Sequence, residues 1–225
     1  MESKFFRDLL SVKVEAVIWD FGGVFTTSPF ESFNRYEDTR GIPRGLIQKV
    51  NSTNPNSNAW AQFERGTIDF AAFDRLYLEE SRAMGHAIRG AEVLTLLAGD
   101  LRPRMVQALL ICKRHFKVGC ITNNMAHGME PVRETEVHAK KRSADVMIHF
   151  DAIIESSKTG IRKPDPRIYL MMCEQLGVEP PGCVYLDDLG VNCKPAAQLG
   201  MKAIKVLNEA QALAHLAAAT GLAFD

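Results

Sequence analysis

The chain has no apolar run of about 18 residues, the length a helix needs to cross a bilayer, so no membrane partner is expected. It has no net charge either: Lys plus Arg and Asp plus Glu number 27 each. A balanced chain sets up no global field to gather nucleic acid, and none is expected as a partner. The five cysteines (Cys112, Cys120, Cys173, Cys183 and Cys193) are scattered, without a CxxC pair. An odd, unpaired set argues against a disulfide framework and against structural zinc, and it fits a reduced, cytoplasmic protein. The segment Met1 to Asp8 lacks the apolar core of an export signal, so none is expected. No internal repeat is visible. At 225 residues there is room for one core, or for a core with a small inserted unit.

What is present starts with Val14 to Trp19, rich in β-branched and aromatic residues, which reads as a buried parallel strand. It runs into Asp20 and then Gly22-Gly23, glycines that let the backbone approach a ligand closely. A carboxylate at the end of such a strand lies where open α/β sheets bind ligands. Alone, the pattern serves equally as a simple cap, and its partners must decide. Residues 28–99 carry helical periodicity without strand-like runs. Phe70, Phe73, Leu76, Tyr77 and Met84 draw one apolar stripe, with Asp69 as N-cap and Gly85 as stop, and Asn51 to Asn58 reads as a polar loop.

From residue 100 strands and helices alternate. Helices are expected at Met105–His115, Pro166–Leu176, Lys194–Leu199 and Glu209–Thr220. Strands are expected at Phe116–Ile121, Ala152–Glu155, Cys183–Leu186 and Ala203–Val206. The basic cluster His138 to Arg142 reads as a solvated face. The fold class is therefore α/β, a Rossmann-like parallel sheet flanked by helices. Residues 1–27 and 100–225 form the core, and 28–99 form an inserted helical unit.

Parallel strands gather their carboxyl ends, so Asp20, Thr122-Asn123 and Asp187-Asp188 should converge. Three carboxylates in one crevice repel one another unless a cation sits among them, and hard oxygen ligands suit Mg²⁺. The Thr122 hydroxyl and the N–H groups after it can hold phosphate oxygens. Lys163, in Lys163-Pro164-Asp165-Pro166, can act on phosphate as a point charge.

These four stretches, in this order, resemble the motifs of the haloacid dehalogenase-like hydrolase superfamily. Lys163-Pro164-Asp165-Pro166-Arg167-Ile168-Tyr169 and Leu186 to Lys194 are most similar to the N-terminal phosphatase domains of soluble epoxide hydrolases and to the related domain fused to some acyl-CoA dehydrogenases. The resemblance implies a helical cap at 28–99 and an aspartyl-phosphate formed on Asp20. It implies Mg²⁺ held by Asp20, the Gly22 carbonyl and the acids Asp187 and Asp188, with Asp188 the more direct ligand. It implies phosphate held by Thr122, Asn123 and Lys163, and a small phosphorylated metabolite as substrate. Oligomeric state is left open.

One position departs from the pattern. Most phosphatases of that family carry a second Asp two residues after the nucleophile, where this chain has Gly22. Such general acid–base help is worth about 10² to 10⁴ in rate. Glu64, in the inserted unit, is a candidate replacement, and a surface helix glutamate is the plainer reading of it. Two alternatives to a phosphatase stand beside this one: a metal-free haloacid dehalogenase, and a phosphate-binding domain without turnover. The paired acids Asp187-Asp188 weigh against the metal-free reading.

Overall fold

Ala16 to Trp19 alternates between two apolar environments, as a strand buried on both faces must. A computed structural model describes residues 12–97, 99–124 and 142–224. In it, strand β1 (Ala16–Trp19) is central to a five-stranded sheet with β2 (Lys117–Thr122), β3 (Ala152–Glu155), β4 (Cys183–Asp187) and β5 (Lys202–Lys205). The order is β3-β2-β1-β4-β5 and every pairing is parallel. On one face, Val17 and Trp19 pack with helix α6 (Pro103–Lys113) and helix α10 (Glu209–Thr220) through Met105, Leu109, Leu213 and Leu216. On the other, Ala16 and Ile18 pack with α8 (Pro166–Leu176), which follows the short α7 (Ser156–Thr159), and with α9 (Gly190–Gln198) through Ile168, Tyr169, Met172 and Ala196. The expected α/β architecture is found.

Among the described residues, five helices come between β1 and α6: α1 (Pro29–Arg40), α2 (Leu46–Ser52), α3 (Ala59–Glu64), α4 (Phe70–Ala83) and α5 (Gly90–Thr95). They bury their own cluster, with Phe33, Ile47, Phe63, Phe73, Tyr77 and Ile88 inside it. Asp69 caps α4 by accepting the Ala72 N–H at 2.8 Å, as its place before the apolar stripe predicts. Part of the polar stretch 51–58 is not loop. Asn51 and Ser52 finish α2, and Asn58 caps α3 while its amide donates to the carbonyls of Asn51 and Thr53 at 3.0 and 2.6 Å. An asparagine that satisfies both sides of a turn holds it closed, which composition alone does not reveal.

The chain leaves for this helical unit and returns from it side by side. Thr26 and Leu101 form an antiparallel bridge, Thr27 N–H donates to the Asp100 carbonyl at 2.9 Å, and Arg102 N–H donates to the Phe25 carbonyl at 2.7 Å.

Further boundaries differ from the sequence reading: α6 runs Pro103–Lys113 rather than Met105–His115, β2 runs Lys117–Thr122 rather than Phe116–Ile121, and β4 extends to Asp187. Helix α9 begins at Gly190 rather than Lys194, with Pro195 inside it. Gly190 and Val191 are weak helix formers and Pro195 reads as a helix start, so the pattern points four residues too late. β5 starts at Lys202, one residue early. His138 to Lys141 lie outside the described residues, and Arg142 is exposed.

The aromatic stack at the centre of the helical unit gives a direct test. Phe73 is fully buried, stacked on Phe63 at 4.5 Å and flanked by Trp60 and Tyr77. Phe73→Ala should therefore cost about 3–5 kcal/mol, read as a lowered midpoint in urea unfolding.

Candidate active site

Register alone brings the candidate residues together. Trp19 pairs with Cys120 on one side and Leu186 on the other, so the next residue out, Asp20, is level with Ile121 and Asp187. Asp20 N–H continues the ladder to the Leu186 carbonyl at 2.8 Å. Among the described residues, Asp20, Asp187 and Asp188 form a cluster in which one carboxylate oxygen of each lies within 4.8 Å of the others.

Lys163 reaches into this cluster from the loop before α8. Its ammonium is 1% exposed and lies 2.7 Å from Asp20 Oδ1, 2.9 Å from Asp187 Oδ2 and 2.9 Å from the Ile121 carbonyl. Those are three acceptors for three N–H groups. Lys163 therefore acts on a bound anion mainly as a fixed positive charge. Burial works against that charge, but Asp187 and Asp20 outweigh it and hold its pKa above the usual lysine range.

The three acids differ in what surrounds them. Asp187 is fully buried and saturated: besides Lys163 it accepts from the Tyr185 hydroxyl at 2.5 Å, the Leu189 N–H at 2.8 Å and the Asn192 amide at 3.1 Å on both oxygens. It anchors Lys163. Asp20 is held through one oxygen only. Lys163 Nζ and the Phe21 N–H, at 2.7 Å, both use Oδ1, and among the described residues no donor is bonded to Oδ2. Asp188 is partly buried and faces the glycine turn. Burial raises its pKa to about 6, with the charge of Asp187 adding to the effect and Lys163 opposing it. Burial likewise raises Asp20 against the pull of Lys163.

The two glycines of the turn serve different ends. Gly23 has φ +70°, and a Cβ there would meet Asp188 Oδ2 at 2.2 Å. The missing side chain is the space that Asp188 occupies. A Cβ on Gly22 would have nothing within 4 Å. Gly23 is pinned further by its N–H to Thr26 Oγ1 at 3.1 Å and by its carbonyl, which accepts from Arg102 Nη1 at 2.9 Å.

Three carboxylates facing one ammonium leave a surplus of two negative charges, and the donors are hard oxygens; both fit a divalent cation such as Mg²⁺. Asp188, Asp20 and the Gly22 carbonyl in the same turn are the groups with capacity to hold it, whereas Asp187, expected as a further ligand, is already filled by its own donors.

Thr122 ends β2 and is buried. The Asn123 side chain clasps the Lys163 backbone, accepting from its N–H at 2.9 Å and donating to its carbonyl at 3.0 Å. Glu64 is not the surface glutamate of the plainer reading. It is 6% exposed, with Oε2 2.6 Å from Arg162 Nε and 3.5 Å from Asn123 Nδ2, while Oε1 accepts from Trp60 Nε1 at 3.0 Å. Burial raises its pKa, against Arg162 and Trp60. Its place at the end of a short helix hides this, because its ion-pair partner Arg162 and the amide of Asn123 come from loops far along the chain. Tyr185, Asn192, Arg102 and Arg162 also escaped the sequence reading. Tyr185 alone left a signal there, lying two residues before Asp187 and so on the same face of β4.

Residues 14–200 match the model of the haloacid dehalogenase-like hydrolase family. The chain belongs to that family. As a member of it, the chain is an enzyme of the hydrolase class. It is 30% identical to bifunctional epoxide hydrolase 2 of Mus musculus over 204 residues, 86% of this chain and 36% of that protein. It is 31% identical to acyl-CoA dehydrogenase family member 10 of Mus musculus over 92% of this chain and 19% of that one. The haloacid dehalogenase-like chain thus spans about a third or less of these two relatives. A phosphatase of Mycobacterium tuberculosis is 27% identical, with 87% of this chain and 88% of that one covered. Among solved structures, a family enzyme of Bacteroides thetaiotaomicron in complex with magnesium and inorganic phosphate has a TM-score of 0.53 at 20% identity, over 85% of this chain and 93% of that one; this is a likeness of fold.

The glycine pair makes the metal reading testable. Mg²⁺ should raise the melting temperature, and more so at pH 8 than at pH 5, because protons occupy Asp188 below about 6 and leave it as pH rises. Gly23→Ala should weaken Mg²⁺ binding by about 10- to 100-fold, by pushing Asp188 aside, whereas Gly22→Ala should leave it nearly unchanged. Isothermal titration calorimetry of both variants decides.

Proposed function

We propose that this chain is a Mg²⁺-dependent phosphatase acting on a small phosphate monoester through an aspartyl-phosphate on Asp20. One observation carries the reading: among the described residues Asp20 is held by Oδ1 alone, between Lys163 and the cation-suited Asp188, so that Oδ2 remains as a nucleophile. The comparison with a Mycobacterium tuberculosis phosphatase supports it.

Bound Mg²⁺ supplies Lewis-acid stabilisation of phosphoryl oxygens and screens the repulsion between two anions. The chain's own residues do the rest. Oδ2 of Asp20 attacks phosphorus in line, forming the P–O bond to the carboxylate as the bond to the leaving oxygen breaks. Water then attacks phosphorus, and the aspartyl-phosphate releases inorganic phosphate and the free carboxylate. Lys163, fixed by Asp187 and Ile121, stabilises charge on the transferring oxygens without moving. The Thr122 hydroxyl and the Asn123 turn close the phosphate cradle. The helices of residues 28–99 act as the cap.

The cluster of three acids weighs against a metal-free dehalogenase, since without a cation their mutual repulsion has no purpose. Turnover of an aryl phosphate tests the whole reading. It should require Mg²⁺, stop with EDTA and fall by about 10³-fold or more in Asp20→Asn, with the fold retained. An inactive wild-type protein in saturating Mg²⁺ would remove the phosphatase reading.

Gly22 adds a kinetic signature. Without a carboxyl there, the leaving oxygen departs with little proton assistance, so aryl and acyl phosphates should be cleaved faster than alkyl ones. The backbone at Gly22 is not left-handed and space is open around it, so Gly22→Asp should fold. It should also raise kcat/KM for alkyl esters by about 10²-fold or more, flattening the dependence on leaving-group pKa.

A further inference from the structure

Phosphate held by Asp20, Lys163 and the Thr122–Asn123 turn rests on the carboxyl edge of the sheet. Its esterified group must then project away from the sheet, toward the helices of residues 28–99. On that side stands Glu64. Its carboxylate touches the Asn123 amide and is paired with Arg162, the residue directly before Lys163. The pair is set firmly. The Glu64 backbone carbonyl accepts from Ser156 Oγ at 2.6 Å, and Arg162 Nη1 donates to the Pro55 carbonyl at 2.9 Å. The Glu64 side chain is 8% exposed and that of Arg162 18%. The Arg162 guanidinium and the Trp60 and Asn123 N–H groups lie against the Glu64 carboxylate and oppose the burial that raises its pKa.

Resting on the phosphatase reading, we propose that the Glu64–Arg162 pair sets substrate charge: it excludes esters whose leaving group carries a second negative charge and admits neutral ones. Arg162 is the cation beside Lys163 that would otherwise receive a carboxylate or second phosphate. Glu64 neutralises it and presents its own carboxylate at the Asn123 turn. An incoming anion meets repulsion in a site largely shielded from water, where screening is weak. Discrimination thus comes from a built-in repulsive element rather than from an added attractive contact.

A matched pair of non-hydrolysable ligands tests this apart from turnover: phenylphosphonate and 4-carboxyphenylphosphonate, titrated calorimetrically with Mg²⁺ present. Wild-type protein should bind the uncarboxylated ligand at least about tenfold more tightly. Glu64→Gln frees Arg162 and should abolish or invert that ratio. Arg162→Gln leaves Glu64 unpaired and should keep or deepen it. Equal affinities in the wild type, or a Glu64→Gln variant that weakens both ligands alike, would overturn the proposal. Should Glu64→Gln fail to fold, an Arg162→Gln variant that favours the carboxylated ligand would overturn it equally. Phenyl phosphate turnover in parallel separates the two readings: no turnover with the selectivity intact defeats only the phosphatase assignment.

Discussion

A single buried ammonium organises the site. Lys163 Nζ ties β1 to β4 through Asp20 and Asp187, and both to β2 through the Ile121 carbonyl. Burying one charge is costly unless partners surround it, and here the partners are the strand ends that must converge for chemistry. The cost of desolvating Lys163 is thus offset by the groups it arranges. Asp187 needs Tyr185, Leu189 and Asn192 to satisfy its remaining lone pairs, so the network extends into the first turn of α9. Asn123 then grips the Lys163 backbone from β2, which closes the loop around the ammonium.

This arrangement divides labour among carboxylates that look alike in sequence. Asp187 and Asp188 are neighbours, yet alternation along a strand sends one inward to a saturated pocket and the other toward the turn. Of these two neighbours, Asp188 is the one that keeps capacity for a cation, with Asp20 beside it. Adjacent glycines divide in the same way: Gly23 makes room for Asp188, whereas Gly22 borders open space.

Much of this was legible in the sequence. Strand-end acids and the order of the elements depend on apolar period and on parallel topology, which local composition records. Hence Ala152–Glu155, Pro166–Leu176 and Glu209–Thr220 were readable to the residue. What stayed hidden depends on distant partners. Glu64 and Arg162 are 98 positions apart, and neither has a local pattern that announces a buried pair. Asn192 and Asn58 look like surface polar residues until the carboxylate or the carbonyls they serve are in place. The early start of α9 was masked because Gly190 and Pro195 oppose a helix locally and tertiary packing prevails.

The side-by-side exit and return at Thr26 and Leu101 has a mechanical consequence. A body joined to another through two adjacent, cross-bonded strands has its axis of rotation along that junction, and displacement grows with distance from it. The junction is next to the glycine turn after Asp20, and Arg102, its last residue, bonds the Gly23 carbonyl. Rotation about that junction would part the contacts of Glu64 with Asn123 and Ser156 before the bond of Arg102 to Gly23.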